Sequence, residues 1–401
     1  MSETTEPNVG SFTLGGPLTV EPAGTIQVPE HEEWTLPNGF AWVFPREGNG
    51  SGLVRPVIMA DGFNLGRSKL DVLYHGLESG YSFISELRQR GRDVILLGFN
   101  ERSASILDNA QAAEAAIMRA ISEQLGDARL VVGGFSMGGI VTRYALAKLE
   151  THGVNHRTGL YFSYDSPHHG ASIPLGVQAF SHFVPLPNAF AKQMNSPAAR
   201  QMLWRHYDKD TGKICIAAER SEFLAALDRV GRWPQIPRTI GVANGRADGV
   251  GLPNLKPGEV ALRIDRIYPG TTFYTQAQGD DVTAAYLNRR FPKAEKTITT
   301  SGFPEVDGAP GGTLHTYKIL AETMEKLGGN ADLRHEDVCF VPSVSAVAIR
   351  DIEKQDDLYA DINGLEPQES ELGGFLCSST TTAHTAITEE LCTWLIEQIA
   401  D

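Results

Sequence analysis

Continuous apolar, β-branched runs alternate with amphipathic stretches through much of this chain, and the alternation predicts an α/β architecture. Strand-like runs fall at Pro56–Asp61, Asp93–Gly98, Leu130–Phe135, Gly159–Asp165, Arg238–Asn244 and Gly374–Cys377. They are mostly apolar, and the run before Ser136 is continuously so, as a strand buried on both faces of a parallel sheet should be. Helix-period stretches separate them at about 70–90, 103–125 and 137–150, the last with Ile140, Tyr144, Ala147 and Leu149 along one side, and another closes the chain at about 387–399. Strands alternating with helices of this length imply a mostly parallel central sheet joined by right-handed crossovers.

Three segments break the rhythm. Residues 1–51, rich in Pro, Gly, Thr and Glu, read as a flexible tip and an accessory hairpin, with β-like pieces at Ser11–Leu14 and Phe40–Phe44. Residues 52–401 then form the α/β domain. Within it, residues 173–233 mix Phe180, Phe183, Val184, Leu186 and Phe190 with two short helical stretches. Apolar aromatics between core strands predict a helical lid that faces substrate, the other reading being an ordinary helical excursion packed on the sheet. Residues 256–303 carry strand-like pieces at Val260–Ile267, Thr271–Gln276 and Lys296–Thr300, separated by polar turns, and predict an inserted β-hairpin or small sheet.

Composition narrows the class. Of 401 residues, 41% are hydrophobic and 21% charged, which suits a folded core and not a disordered chain. The formal net charge of −14 repels a nucleic-acid backbone over most of the surface. No apolar run reaches the roughly 20 residues that span a bilayer, and Met1–Pro7 lacks the basic and apolar regions of a signal peptide, so a cytoplasmic location is expected. The four widely spaced cysteines, Cys215, Cys339, Cys377 and Cys392, are expected as free thiols. Oligomeric state is not legible.

Candidate chemistry centres on Gly134-Phe135-Ser136-Met137-Gly138, placed where the third strand runs into a helix. A serine on a sharp strand-to-helix turn, flanked by glycines that let strand and helix approach, is a nucleophile elbow. A serine hydroxyl is a weak nucleophile and requires a base, and the base requires an acid to fix its tautomer. With this elbow the chain order is serine, acid, histidine. Of the 11 histidines, His384 alone lies in the loop between the last core strand and the final helix, which makes it the candidate base. Two Asp-Gly turns offer an acid, Asp307 in Val306–Gly312 and Asp248 just beyond the strand at 238–244.

Neighbouring His168 and His169 suggest a metal only superficially. Adjacent side chains on extended backbone point to opposite sides, and zinc requires three or four convergent donors, so His168 reads as part of a pocket-shaping turn. The glycine-rich turns lack the context of a P-loop or a dinucleotide fingerprint, and neither metal nor cofactor is expected.

The chain resembles lipase-like and esterase-like α/β-hydrolases, in particular a bacterial group of esterases. The resemblance is carried by Asp61-Gly62-Phe63, the Ser136 elbow, Asp165–Gly170, Asn195–Arg200, Asp307–Gly312, Cys339–Ala346 and the His384 loop. Lipase-like sequences often join an Asp-Gly turn to a Val-Pro and serine-rich step. Here the two parts are split between Asp307 and Val341–Ser345, and the resemblance favours Asp307 over Asp248 as the acid. It also implies an oxyanion hole from the backbone N–H groups of Met137 and Phe63, with Asp-Gly standing where lipases commonly show His-Gly. His168, Phe183 and Phe190 are the candidate pocket residues. The implied activity is hydrolysis of a carboxylic ester or thioester through an acyl-enzyme. Transfer or cyclisation of the acyl chain, and binding without turnover, are the rival readings.

Overall fold

A computed structural model describes residues 26–48 and 51–400; the β-like piece at Ser11–Leu14 lies outside the described residues. The chain opens with a hairpin, β1 (Glu32–Leu36) and β2 (Gly39–Phe44), and continues through β3 (Pro56–Ala60), α1 (Leu70–Ser79), α2 (Phe83–Gln89), β4 (Asp93–Phe99), α3 (Ile106–Glu123), β5 (Leu130–Phe135), α4 (Met137–Thr151) and β6 (Thr158–Tyr164). The first insertion comprises α5 (Leu175–Phe183), α6 (Ala189–Met194), α7 (Pro197–Met202), a small hairpin of β7 (His206–Asp208) and β8 (Lys213–Cys215), and α8 (Ala218–Arg229). After β9 (Arg238–Ala243) come β10 (Val260–Asp265), β11 (Thr271–Tyr274), β12 (Val282–Arg289), β13 (Ala294–Thr300), β14 (Gly311–Leu314), α9 (Thr316–Lys326), β15 (Asn330–Leu333) and β16 (Val338–Pro342). Short helices α10 (Ser343–Ala346) and α11 (Gln355–Leu358) lead to β17 (Gly374–Cys377) and α12 (Glu389–Ala400).

Among the described residues the main sheet has eight strands in the order β1-β2-β4-β3-β5-β6-β9-β17. The six from β4 to β17 are parallel, and the β1–β2 hairpin adds antiparallel to the β4 edge. Because β3, β4 and β5 are buried along their whole length, both faces must be covered. Helices α3 and α4 cover one face with Ala110, Ala113, Ile117, Ile140 and Leu146; α1, α2 and α12 cover the other with Leu73, Phe83, Leu391 and Leu395. Helix α3 starts where Ser105 Oγ accepts the Leu107 N–H at 3.2 Å, and its alanine-rich stripe lets it lie close to α4.

The predicted β insertion is larger than a hairpin. Strands β10 to β13 form an antiparallel sheet that recruits β15 from beyond residue 303, in the order β13-β12-β11-β10-β15. Helix α5 packs against this sheet, which corrects the substrate-facing lid. Phe180 stands edge-on to Tyr268 and Phe273 with ring centroids at 5.0 and 5.5 Å. Phe183 lies beneath the Arg289 guanidinium, and Phe190 is 1% exposed. Phe180 and Phe183 pack on this sheet, because an antiparallel sheet with one apolar face requires a covering layer, while Phe190 is buried on α6 in the same contiguous core.

Candidate active site

The C-terminal ends of the parallel strands all open on one side, and the site is assembled there. Strand β5 ends at Phe135, and Ser136 turns the chain into α4 with φ 51° and ψ −123°, a conformation rarely adopted by a side-chain-bearing residue. Its N–H donates to the Tyr164 carbonyl at 2.9 Å, tying the turn to β6. Two glycines permit the turn. A Cβ on Gly134 would lie 2.4 Å from the Gly138 carbonyl carbon, and one on Gly138 would lie 2.3 Å from the Ala60 oxygen at the end of β3.

His384 stands against this serine, with Nε2 at 2.8 Å from Ser136 Oγ. Its Nδ1 is 2.7 Å from Asp165 Oδ2, and the other oxygen of Asp165 accepts the Asn244 N–H at 3.0 Å. Asp165 is fully buried at the end of β6, the strand beside β5. Serine, carboxylate and histidine therefore follow β5, β6 and β17 in chain order. The fold is that of an α/β-hydrolase. No protein-family model matches the sequence, and no curated protein does. Among solved structures, a mature lipase of Bacillus licheniformis is similar at 14% identity and TM-score 0.31, covering 51% of this chain and 72% of its own. A thermophilic carboxylesterase from a metagenomic library has 15% identity and TM-score 0.34, over 54% and 70% of the two chains. The esterase Est1E of Butyrivibrio proteoclasticus has 12% identity and TM-score 0.32, over 53% and 77%. These likenesses are partial; the strand order and the strand-to-helix turn at Ser136 carry the description of the fold.

The loop bearing His384 is fixed from several sides. Its N–H donates to the Thr313 carbonyl at 2.8 Å, and the Phe340 ring stands edge-on to the imidazole at 4.7 Å. Asn244 donates its side-chain amide to Thr382 Oγ1 at 2.8 Å and to the Ala386 carbonyl at 2.9 Å. The Tyr164 hydroxyl donates to the same Ala386 carbonyl at 2.7 Å. Gly312 is forced by proximity, since a Cβ there would lie 2.1 Å from Asp165 Oδ2.

The expected acids are elsewhere. Asp307 sits in a one-turn 3-10 helix at 306–308, and its side chain turns toward the second sheet, where Oδ2 accepts the Gln276 N–H at 2.9 Å. Its Oδ1 is buried with no partner, and burial pushes its pKa up to about 6. Asp248 is partly exposed and paired side by side with Arg246. Neither touches His384, because the end of β6 already delivers a carboxylate to the imidazole. His168 is also withdrawn from the site. Its Nε2 is 2.9 Å from Ser163 Oγ, its ring lies 4.8 Å from that of Trp233, and burial with the Arg143 charge holds its pKa well below the ordinary histidine value. Phe183 packs against Arg289 of β12 and Phe190 is buried on α6 in the core. Asp165 was available in the sequence as the first residue after a buried strand, in the same relation to β6 as Ser136 to β5. Asn244 stands in that relation to β9.

Across β5 from β6 lies β3, whose following loop carries Phe63. The main-sheet order reverses between β3 and β5, the switch point at which open α/β sheets gather ligands. Asp61, 1% exposed, takes the Gly62 N–H onto Oδ1 at 2.7 Å. The Phe63 N–H makes no hydrogen bond among the described residues. Burial raises the Asp61 pKa, and Arg102, at 3.8 Å, opposes that shift. Arg102 also donates to the carbonyls of Leu65 and Gly66, pinning the loop. Met137 opens α4, so its N–H belongs to the first-turn donors that a helix leaves unpaired.

Proposed function

We propose that the protein is a serine hydrolase of carboxylic esters or thioesters, with Ser136 as nucleophile, His384 as general base and Asp165 as the carboxylate that orients it. The observation that carries this reading is the unbroken line from Ser136 Oγ through the imidazole to Asp165, with links of 2.8 and 2.7 Å. Asp165 accepts from Nδ1–H and thereby keeps Nε2 free to take the serine proton. As Oγ attacks the acyl carbonyl, negative charge grows on the carbonyl oxygen. The N–H groups of Met137 and Phe63 are the proposed donors to it, and each such donor lowers the barrier by about 3 kcal/mol. Asp61 contributes by occupying the Gly62 N–H, while Arg102 offsets its charge. His384 then protonates the leaving group, and water activated by the same Nε2 resolves the acyl-enzyme.

The test is labelling with a fluorophosphonate, followed by peptide mapping and turnover of an ester and thioester panel. The expected result is a single adduct on Ser136, and a fall in kcat on the order of 10⁶ in Ser136→Ala with the fold retained. An adduct on a different serine, or turnover by Ser136→Ala at the parental rate, would remove the proposal.

A further inference from the structure

The opposite end of the main sheet carries an arrangement that ester hydrolysis does not use. Five neighbouring parallel strands, β4, β3, β5, β6 and β9, each have an arginine immediately before or at their first residue: Arg92, Arg55, Arg129, Arg157 and Arg238. Neighbouring strands lie about 4.8 Å apart, so these entries form a row across the floor of the sheet. Four of the five, Arg55, Arg92, Arg129 and Arg238, line one cavity of about 560 Å³ together with Ala128, Leu130, Val131, Gly159, Leu160, Gln398 and Ile399. None of the described lining residues is acidic.

Among the described residues, no acidic side chain balances the charges in this cavity. Arg92 donates to the Ile399 carbonyl, and Arg238 donates to Gln398 Oε1 at 2.7 Å and to its carbonyl at 3.1 Å. Those contacts cap the end of α12 but offer only neutral acceptors. Asp93, next to Arg92 in sequence, is directed to Arg46 and to the N–H groups of Val54 and Arg55. No ion pair reaches the four guanidinium groups among the described residues, although acidic residues outnumber basic ones by 49 to 35 in the chain. Burial and the Arg55 charge together lower the Arg92 pKa to about 10, the response of a cation held beside another with no anion between them.

We infer that this cavity binds a phosphate-type oxyanion, held by the guanidinium groups of Arg55, Arg92, Arg129 and Arg238. Arginine forks match phosphate oxygens in geometry as well as charge, and several of them facing one concave site can hold an oxyanion from more than one side. The anion could arrive as a free diphosphate or as the diphosphate of a nucleotide, and the chemistry of recognition is the same.

The experiment is calorimetric titration of the full chain with pyrophosphate and, separately, with ADP at low ionic strength. One-site binding is expected, weakened at least tenfold in Arg55→Gln/Arg129→Gln, which leaves the two α12-capping arginines in place. The single variant Arg129→Gln, at an exposed position, should weaken binding several-fold with an unchanged melting temperature. Tighter binding of ADP than of pyrophosphate assigns the site to a nucleotide, and equal binding assigns it to the free anion. Absence of heat with the parent chain, or equal affinity in the double variant, overturns the site.

Discussion

Two carboxyl groups, Asp165 and Asp307, are equally withdrawn from water but differ in what their oxygens meet. Asp165 has the His384 imidazole on one oxygen and the Asn244 N–H on the other, whereas Asp307 has one N–H and an orphaned oxygen. Asp165→Asn is therefore expected to lower kcat by roughly 10⁴ by favouring the wrong imidazole tautomer, while Asp307→Asn leaves kcat unchanged. Steady-state kinetics of the two variants checks this, and the reverse ranking would return the acid to Asp307. The Asp307 pKa is raised to about 6 from 3.8, so the folded state favours its protonated form. This group's contribution to stability is therefore fully present below about pH 4 and is lost as pH rises to 6, by about 3 kcal/mol in all. Asp307→Asn should abolish that part of the decline and raise stability at pH 7, as read from denaturant midpoints across the pH range. The serine and the histidine were legible because a strained turn and a position in the chain both leave marks in sequence. The acid was harder to read: an Asp-Gly turn is a local sign, whereas what selects Asp165 is the lateral neighbourhood of β5 and β6, which no local pattern contains.

At the scale of elements, the alternation of apolar strands and amphipathic helices was read from sequence with boundaries close to those observed. Strand β12 was not, since Val282–Arg289 contains alanines and an asparagine and lacks the β-branched density of its neighbours. Without β12 and the distant four-residue β15, the second sheet has no visible apolar face. The aromatics of α5 then look unpartnered, and a lid follows from that omission. With the sheet in place, Phe180 is a core residue. Phe180→Ala should cost about 3–5 kcal/mol of stability. Measured against an acyl-length series, kcat/KM of the folded fraction should be unchanged at every length, and a selective loss of long-chain esters would restore the substrate-facing role.

On the scale of the whole molecule, the parallel sheet has two chemically distinct ends. Helices and strands alternate so that all six parallel strands run the same way, which brings serine, carboxylate and histidine together at one end and the arginine row at the other. The two ends share β3, β5, β6 and β9 as rigid connectors, so occupancy of the floor and turnover can be measured on the same sample and compared directly. Composition alone gave no sign of the basic floor, because a net charge of −14 averages over it.

His384 reaches Ser136 from 248 positions along the chain, and it stays there only while its loop is shut. The contacts that shut it are hydrogen bonds to Ala243, Asn244, Tyr164, Thr313 and Glu390, the Asp165 carboxylate and one aromatic edge, and they do not form the continuous ladder that joins neighbouring strands. Loops tied in this way open at a smaller free-energy cost than the domain unfolds. Warming should therefore extinguish turnover several degrees before the far-ultraviolet circular dichroism signal melts, and cooling from that interval should restore it. The amides of Thr382 and His384, which donate to the carbonyls of Asn244 and Thr313, supply the clock. Their hydrogen exchange should run faster than that of β5 amides, and faster again in Asn244→Ala. If those amides exchange at the rate of β5, loss of turnover on warming is simply global unfolding.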